Sequence, residues 1–370
     1  MSSSFVNAQA PVSQSESGQS PNVEQVAEFG KYQPIGVAVS KNQPSNSGPS
    51  SPGPSGLGRI FVTFPKKPEN YDYALAEIVN GQRRPYPNVE WNQWDSLKPK
   101  DRFLNVQALF VDQTNALWVL DPANPGEEAT IAEGVKLLKI NLAANQIEKI
   151  YRFEDLPREK TALNDVRVDT QHQVAYLSDP KRATIVVLDL KTGKSRDLLE
   201  GDKSTKADPE FKLKIDGKEV KDKDGKAFSS NVNGIALTND FNYLYYRAIN
   251  QTKLYRIATE YLRNPALSPT EVASHVETVA ETGVSHGMIA DAKGNVYLTD
   301  SPNKAVRYLT PSRKLETLAR DSRFLWPDSF AIGSDGYLYM TAAQIHRTKK
   351  YNDGQDKVDY PFRLYRMKLP

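Results

Sequence analysis

The sequence predicts an all-β fold: a six-bladed β-propeller of four-stranded antiparallel blades, closed by an N-terminal strand in the last blade. Three observations predict it. A strand–turn–strand unit recurs along the chain. It opens at Gln107 (QALFVDQTNALWVLD), Asn164 (NDVRVDTQHQVAYLSD), Asn233 (NGIALTNDFNYLYYRA), His286 (HGMIADAKGNVYLTD) and Asp328 (DSFAIGSDGYLYMTA). A third and usually a fourth strand-like run follow each unit, which is the pattern of a propeller blade. No 3.6-residue period is sustained anywhere, so a helical solenoid is excluded.

In chain order, residues 1–22 are rich in Ser, Gln, Asn and Pro and read as a disordered tail. Val6-Asn7-Ala8 has the small-residue pattern of an export cleavage site without the apolar run that should precede it; the segment reads either as a plain tail or as the stub of an exported protein, and a secreted or periplasmic location is the expectation. Residues 23–370 form the propeller. A split sixth copy of the unit runs from Gly36-Val-Ala-Val-Ser to Gly58-Arg-Ile-Phe-Val-Thr, around a Pro/Ser-rich loop, Pro44 to Gly56. The third strands start at Lys136, Thr184, Lys253, Ala305 and Arg363; the fourths start at Ile147, Ser195, Val276 and Leu315. Residues 201–226 hold eight Lys against seven acids and read as a solvated excursion, with a surface hairpin turning at Asp216-Gly217. One short helical piece is expected near Thr259–Leu262. The last repeat lacks a fourth strand, and Val23-Glu-Gln-Val-Ala-Glu-Phe resembles Val276-Glu-Thr-Val-Ala-Glu. The N-terminal run should therefore complete the sixth blade, leaving no open edge at the seam.

Composition bounds the function. Lys+Arg 48 against Asp+Glu 45 gives +3, too balanced for a dedicated nucleic-acid binder. No apolar window is long enough for a spanning helix. The chain has 0 Cys, which removes disulfides, thiolate metal sites and a Cys nucleophile. No phosphate loop, nucleophile elbow or His-Glu-x-x-His run occurs.

The residues resemble the Yellow / major royal jelly protein family. Trp326-Pro-Asp-Ser-Phe, Asp335-Gly-Tyr-Leu-Tyr and Gln344-Ile-His-Arg resemble its last-blade signature. Gly234-Ile-Ala-Leu-Thr, Leu244-Tyr-Tyr-Arg and Thr259-Glu-Tyr-Leu-Arg resemble its fourth-blade pattern, and Tyr176-Leu-Ser-Asp, Leu117-Trp-Val-Leu-Asp and Arg59-Ile-Phe-Val-Thr-Phe-Pro fit as well. The resemblance implies six blades, secretion in many members, and in some insect members the conversion of dopachrome; other members bind small amines or serve as stores. The absence of cysteine departs from the insect members and suggests a bacterial one. A weaker resemblance is to gluconolactonase-like propellers, which hold a divalent cation through a Glu, two Asn and an Asp at inner-strand starts. Here those starts are Gln107, Asn164, Asn233 and His286, so two Asn match and both carboxylates are replaced.

Inner strands of a propeller begin at one mouth of a central channel, so their opening residues should converge there. The candidates are His286 as a base, Asp165 or Asp328 to orient it, and Gln107, Asn164, Asn233 and Trp326 as substrate-binding groups. Each has a structural alternative: His286 as a packed channel histidine, the two asparagines as partners of strand-end backbone groups, Trp326 as blade packing. Pro327 favours an extended backbone at Trp326. Asp121, Asp179 and Asp300 share one blade position, which reads as turn chemistry. His172, His275 and His346 receive no role. No cofactor is expected beyond a weakly held Ca²⁺ on Asn164 and Asn233. The leading expectation is a monomer that binds or tautomerises a small aromatic or quinone-type molecule at the mouth, without nucleic acid. The alternatives are a metal-assisted lactone hydrolase and a non-catalytic ligand binder.

Overall fold

The computed structural model describes residues 18–41, 58–67, 71–126 and 129–370. Among them, six four-stranded antiparallel sheets follow one another around a ring. From inside outward, blade 1 is Val37–Val39, Ile60–Thr63, Leu75–Val79 and Gln82–Pro85; blade 2 is Ala108–Val111, Ala116–Asp121, Lys136–Asn141 and Gln146–Tyr151. Blade 3 is Asp165–Asp169, Val174–Asp179, Thr184–Asp189 and Ser195–Leu198; blade 4 is Val232–Leu237, Tyr243–Ala248, Lys253–Ala258 and Glu277–Glu281. Blade 5 is Met288–Ala290, Val296–Asp300, Ala305–Leu309 and Leu315–Arg320. Blade 6 is Pro327–Ile332, Tyr337–Ala342, Arg363–Lys368 and, outermost, Val23–Glu28.

The repeat has a physical basis in its turns. Asp112 Oδ1 accepts from the backbone of Thr114 and Ala116, while its Oδ2 takes the Trp118 indole N–H at 2.8 Å. Asp291 repeats this with Lys293, Asn295 and the Tyr297 hydroxyl, and Asp335 with Tyr337 and the Tyr339 hydroxyl. One carboxylate thus shapes the hairpin turn and satisfies the polar tip of the aromatic in the next strand.

Second strands are buried on both faces: every residue of Ala116–Asp121 and Val174–Asp179 is buried. Each gap between blades is filled by its own apolar layer. Trp118, Leu137, Val166 and Leu188 fill the gap between blades 2 and 3; Tyr176, Ile185, Ile235 and Tyr246 fill the next. The seam is closed as expected. Val23–Glu28 pairs antiparallel with Arg363–Lys368, Val23 and Ala27 are buried, and Glu24 meets Arg366 at 2.7 Å.

Of the segment expected to be disordered, residues 1–17 lie outside the described residues. Gly18 and Ser20, however, are already tied to blade 5: the Gly18 carbonyl accepts from Ser322 N and the Ser20 N–H donates to Asp321. The Pro44–Gly56 loop also lies outside the described residues. The helical piece spans Thr259–Arg263 and is followed by a second helix, Pro269–Ser274, opened by a Ser268/Glu271 capping box. The expected hairpin forms from Lys214–Ile215 and Lys218–Glu219. It is not merely solvated: Leu213, Ile215 and Val220 are buried against Ile35, Ile249, Trp326 and Ala343, at one mouth of the ring. The lysines occupy the outer face of the same segment, which is why its composition reads as solvent-exposed.

Candidate functional site

The six inner strands touch their neighbours all the way around, blade 6 to blade 1 included. Their starts line a cavity of about 270 Å³ that contains all seven candidates: Gln107, Asn164, Asp165, Asn233, His286, Trp326 and Asp328. Two local devices aim them. The pairing of inner to second strand slips between Val232 and Ile235 and between Pro327 and Phe330, so Asn233 and Asp328 each sit on a bulge. Glycines also let adjacent inner strands approach. A Cβ on Gly234 would stand 2.3 Å from the His286 carbonyl oxygen, and one on Gly287 1.9 Å from that of Asp328.

A girdle of hydroxyls fixes the strand starts. In blade 1, Thr63 Oγ1 accepts from Gly36 N and donates to the Gln107 carbonyl of blade 2. In blade 3, Ser178 accepts from Asp165 N and donates to the Asn233 carbonyl of blade 4. In blade 6, Thr341 accepts from Ser329 N and donates to the Ile35 carbonyl of blade 1. In blade 5, Thr299 accepts from the N–H groups of His286 at 2.8 Å and Gly287 at 3.2 Å. Blade 4 places Arg247 at the equivalent second-strand position. Fully buried, it donates to Thr282 Oγ1 and to the carbonyls of Ala248 and Gln251.

These surroundings set the electrostatics. Burial, then the charge of Arg247 and the proximity of His346, lowers the His286 pKa to about 3, so its imidazole is neutral. The ring is 2 % exposed and neither nitrogen has a hydrogen-bond partner; the orienting bond expected from Asp165 or Asp328 is not formed. Its ring stacks on Trp326, with centroids 4.1 Å apart. Desolvation raises the Asp328 carboxyl to about 7, against a hydrogen bond from Ser329 Oγ at 3.3 Å and the nearness of the Trp326 side chain, and the Asp165 charge adds to the rise. Trp326 itself has φ +59°, not the extended backbone that Pro327 favours. Its carbonyl accepts from Ala343 N, and the ring packs into the mouth cluster, so tertiary contacts overrule the local preference.

Asp165 is committed elsewhere. Its Oδ1 accepts from Arg167 Nη1 at 2.6 Å and from Val166 N, and its Oδ2 accepts from Ile235 N. Arg167 reaches on to the Met288 carbonyl of blade 5, also at 2.6 Å. This brace crosses the channel below the mouth, at a waist of about 20 Å³, room for a single water. Beyond it a chamber of about 410 Å³ opens toward the opposite face. Asn164 and Asn233 bond through their side chains to Gln107 Nε2 at 3.3 Å and Ser230 Oγ at 3.5 Å.

Three groups at the mouth escaped the sequence reading. His346 stacks on Trp326 at 5.9 Å, and burial lowers its pKa to about 4. Phe228 lines the cavity edge-on to Trp326, and Arg167 forms the floor. His346 sits inside the Gln344-Ile-His-Arg signature, the one signal that could have found it. Asp121, Asp179 and Asp300 hold loops: Asp121 accepts from the backbone of Leu104, Asn105 and Ala123 and pairs with the buried Lys136 at 3.1 Å. Asp179 and Asp300 accept from the N–H groups of the loops that follow them. Among the described residues no three His, Cys, Asp or Glu side chains are grouped to hold a metal, and no helix is long and apolar enough to cross a membrane.

The sequence profile of the major royal jelly proteins matches residues 104–369, most of the chain. The chain belongs to the major royal jelly protein family. Major royal jelly protein 1 of Apis mellifera is 24% identical over 241 residues, covering 60% of this chain and 52% of that protein, so the match spans about half of that relative's length. Among solved structures, a luciferin-regenerating enzyme superposes with a TM-score of 0.53 at 13% identity, over 94% of this chain and 95% of its own. A putative gluconolactonase gives 0.52 at 12% identity over 94% and 91%, and virginiamycin B lyase from Staphylococcus aureus gives 0.51 at 12% over 94% and 99%. At such identities the likeness is one of fold, and this royal-jelly-family propeller owes its mouth chemistry to its own residues.

Proposed function

We propose that the protein binds a small planar aromatic or quinone-type molecule in the mouth cavity and tautomerises it, with Asp328 as the base. The observation that carries this reading is a carboxyl raised to about 7, in a cavity walled by Trp326, Phe228 and His286. Such a group accepts and returns a proton near neutral pH, whereas His286, lowered to about 3, is a poor proton acceptor. Asp328 would take the proton from carbon beside a carbonyl. The electron pair moves to the carbonyl oxygen, where the Asn164 and Asn233 amides donate hydrogen bonds, and the proton returns to a second position with no net redox change. His286 serves as a flat, neutral part of the wall, stacked on Trp326.

Hydrolysis assisted by a divalent cation on Asn164 and Asn233 has less support. Both Asp165 oxygens are already bonded, and the Arg167 guanidinium 2.6 Å away would repel a cation. The test is turnover of a dopachrome-like compound by the parent and by Asp328→Asn. We expect a rate that rises with pH through about 7 and falls at least about 10²-fold in the variant, while quenching of tryptophan fluorescence still reports binding. No binding and no turnover in the parent would refute the proposal.

A further inference from the structure

Residues 201–231, inserted between blades 3 and 4, fold back over the mouth. The two roots of this insertion are tied down by hydrogen bonds from backbone N–H groups. Ala207 N donates to Asn231 Oδ1, Asp208 N to the Asn250 carbonyl, Ser230 N to Asn250 Oδ1, and Val232 N to the Thr205 carbonyl. The part between them is held differently. The Lys214–Ile215/Lys218–Glu219 hairpin pairs over two residues a side and belongs to none of the blades. Leu213, Ile215 and Val220 place one apolar face on Trp326, Ile249 and Ala343. At the tip, Asp216 Oδ1 meets Lys304 Nζ of blade 5 at 2.7 Å. Phe228, where the insertion returns, is itself a wall of the cavity.

We propose that this insertion is a cap that must lift for a ligand to reach the mouth cavity, with the Asp216–Lys304 pair as its latch and its roots, bonded to Asn231 and to Asn250 of blade 4, as the fixed end. The proposal rests on the reading of that cavity as the ligand site. The physical argument is a contrast in how the two ends are fixed. The roots share hydrogen bonds with the ring and cannot move without breaking them. Outward of Phe228, whose carbonyl still accepts from Asn250 Nδ2 at 2.8 Å, the described residues hold the cap by an apolar face and one part-exposed ion pair, interactions that open and close without unfolding a blade. Because the apolar face of the cap lies on Trp326, the ring that stacks on His286, closing the cap also excludes water from the wall beside Asp328.

The absence of cysteine makes a clean experiment. Ser230→Cys puts a single thiol on the cavity wall, and its rate of reaction with a small disulfide reagent reports opening of the cap. Ala144→Cys, on an exposed turn, gives the rate of an uncovered thiol. We expect the cavity thiol to react at least about tenfold slower than the control. Adding Asp216→Asn, which suits the left-handed backbone there (φ +51°), or Lys304→Met should speed it about two- to five-fold, the worth of an ion pair of this exposure. The double variant should be no faster than either single one. Ile215→Ala should speed labelling at least about tenfold, with blade stability unchanged. A cavity thiol as reactive as the control, or latch variants that leave its rate unchanged, would overturn the proposal. Labelling needs no ligand, so a chain that shows gated labelling without turnover would defeat the tautomerase reading and leave the cap standing.

Discussion

The ring of His286 lies 4.1 Å from that of Trp326, the planes 24° apart, and neither imidazole nitrogen finds a hydrogen-bond partner. A buried, neutral histidine of this kind is a store of acid sensitivity. Its folded pKa of about 3, and that of His346 at about 4, lie below the ordinary value of 6.5. The unfolded chain therefore binds protons that the folded chain refuses. The stability these rings contribute is complete above pH 6.5 and is lost as pH falls toward 4 and then 3. Replacing both with Gln should flatten the fall in unfolding free energy between pH 6 and 4, by up to ~1.4 kcal/mol per pH unit for each ring. Superimposable pH–stability curves would contradict this.

Asp328 acts in the opposite sense. Its carboxyl holds a proton up to about 7 in the fold and only to about 4 in the unfolded chain. Stability therefore declines as pH rises from about 4 through about 7, and the cost is present in full above that. Asp328→Asn should remove the decline and melt higher than the parent at pH 8. Calorimetry across that range reads both effects.

The girdle hydroxyl of Thr299 accepts from two successive backbone N–H groups, those of His286 and Gly287. Thr299→Val keeps the shape and orphans both donors. We expect a loss of ~1–3 kcal/mol in chemical denaturation, with weaker ligand binding because His286 loses its anchor. Thr299→Ser should restore both.

At the seam, Val23, Ala27 and Phe29 are buried and Glu24 pairs with Arg366. Deleting residues 1–29 strips a strand from blade 6 and exposes its edge. We expect a loss of about 5 kcal/mol or more and a tendency to aggregate, read by thermal melting and light scattering. A truncated chain that melts with the parent would show that the strand is dispensable.

The blades were legible because each repeat carries its own turn carboxylate and aromatic, as in Asp112 with Trp118 and Asp291 with Tyr297. Local spacing was enough to see them. The seven mouth residues were legible for a related reason: a closed ring brings all strand starts together without further information. What needed the structure is contact between segments with no fixed spacing. Leu213, Ile215 and Val220 flank a turn in a lysine-rich stretch, but nothing in that stretch says that their partner face is Trp326. Nor does spacing mark Arg167, whose guanidinium crosses from blade 3 to the Met288 carbonyl of blade 5. The positive φ of Trp326 ran against its following proline, because packing at the mouth outweighed the dipeptide preference.

The Arg167 brace also decides how molecules travel. With the guanidinium clamped between Asp165 and Met288, the described residues make the axis of the ring two rooms back to back, joined only by the narrow waist. Whatever enters from the Trp326 side must leave by the same door. A bound molecule has to clear before the next can arrive, and the waist leaves room for no more than a water between the two rooms.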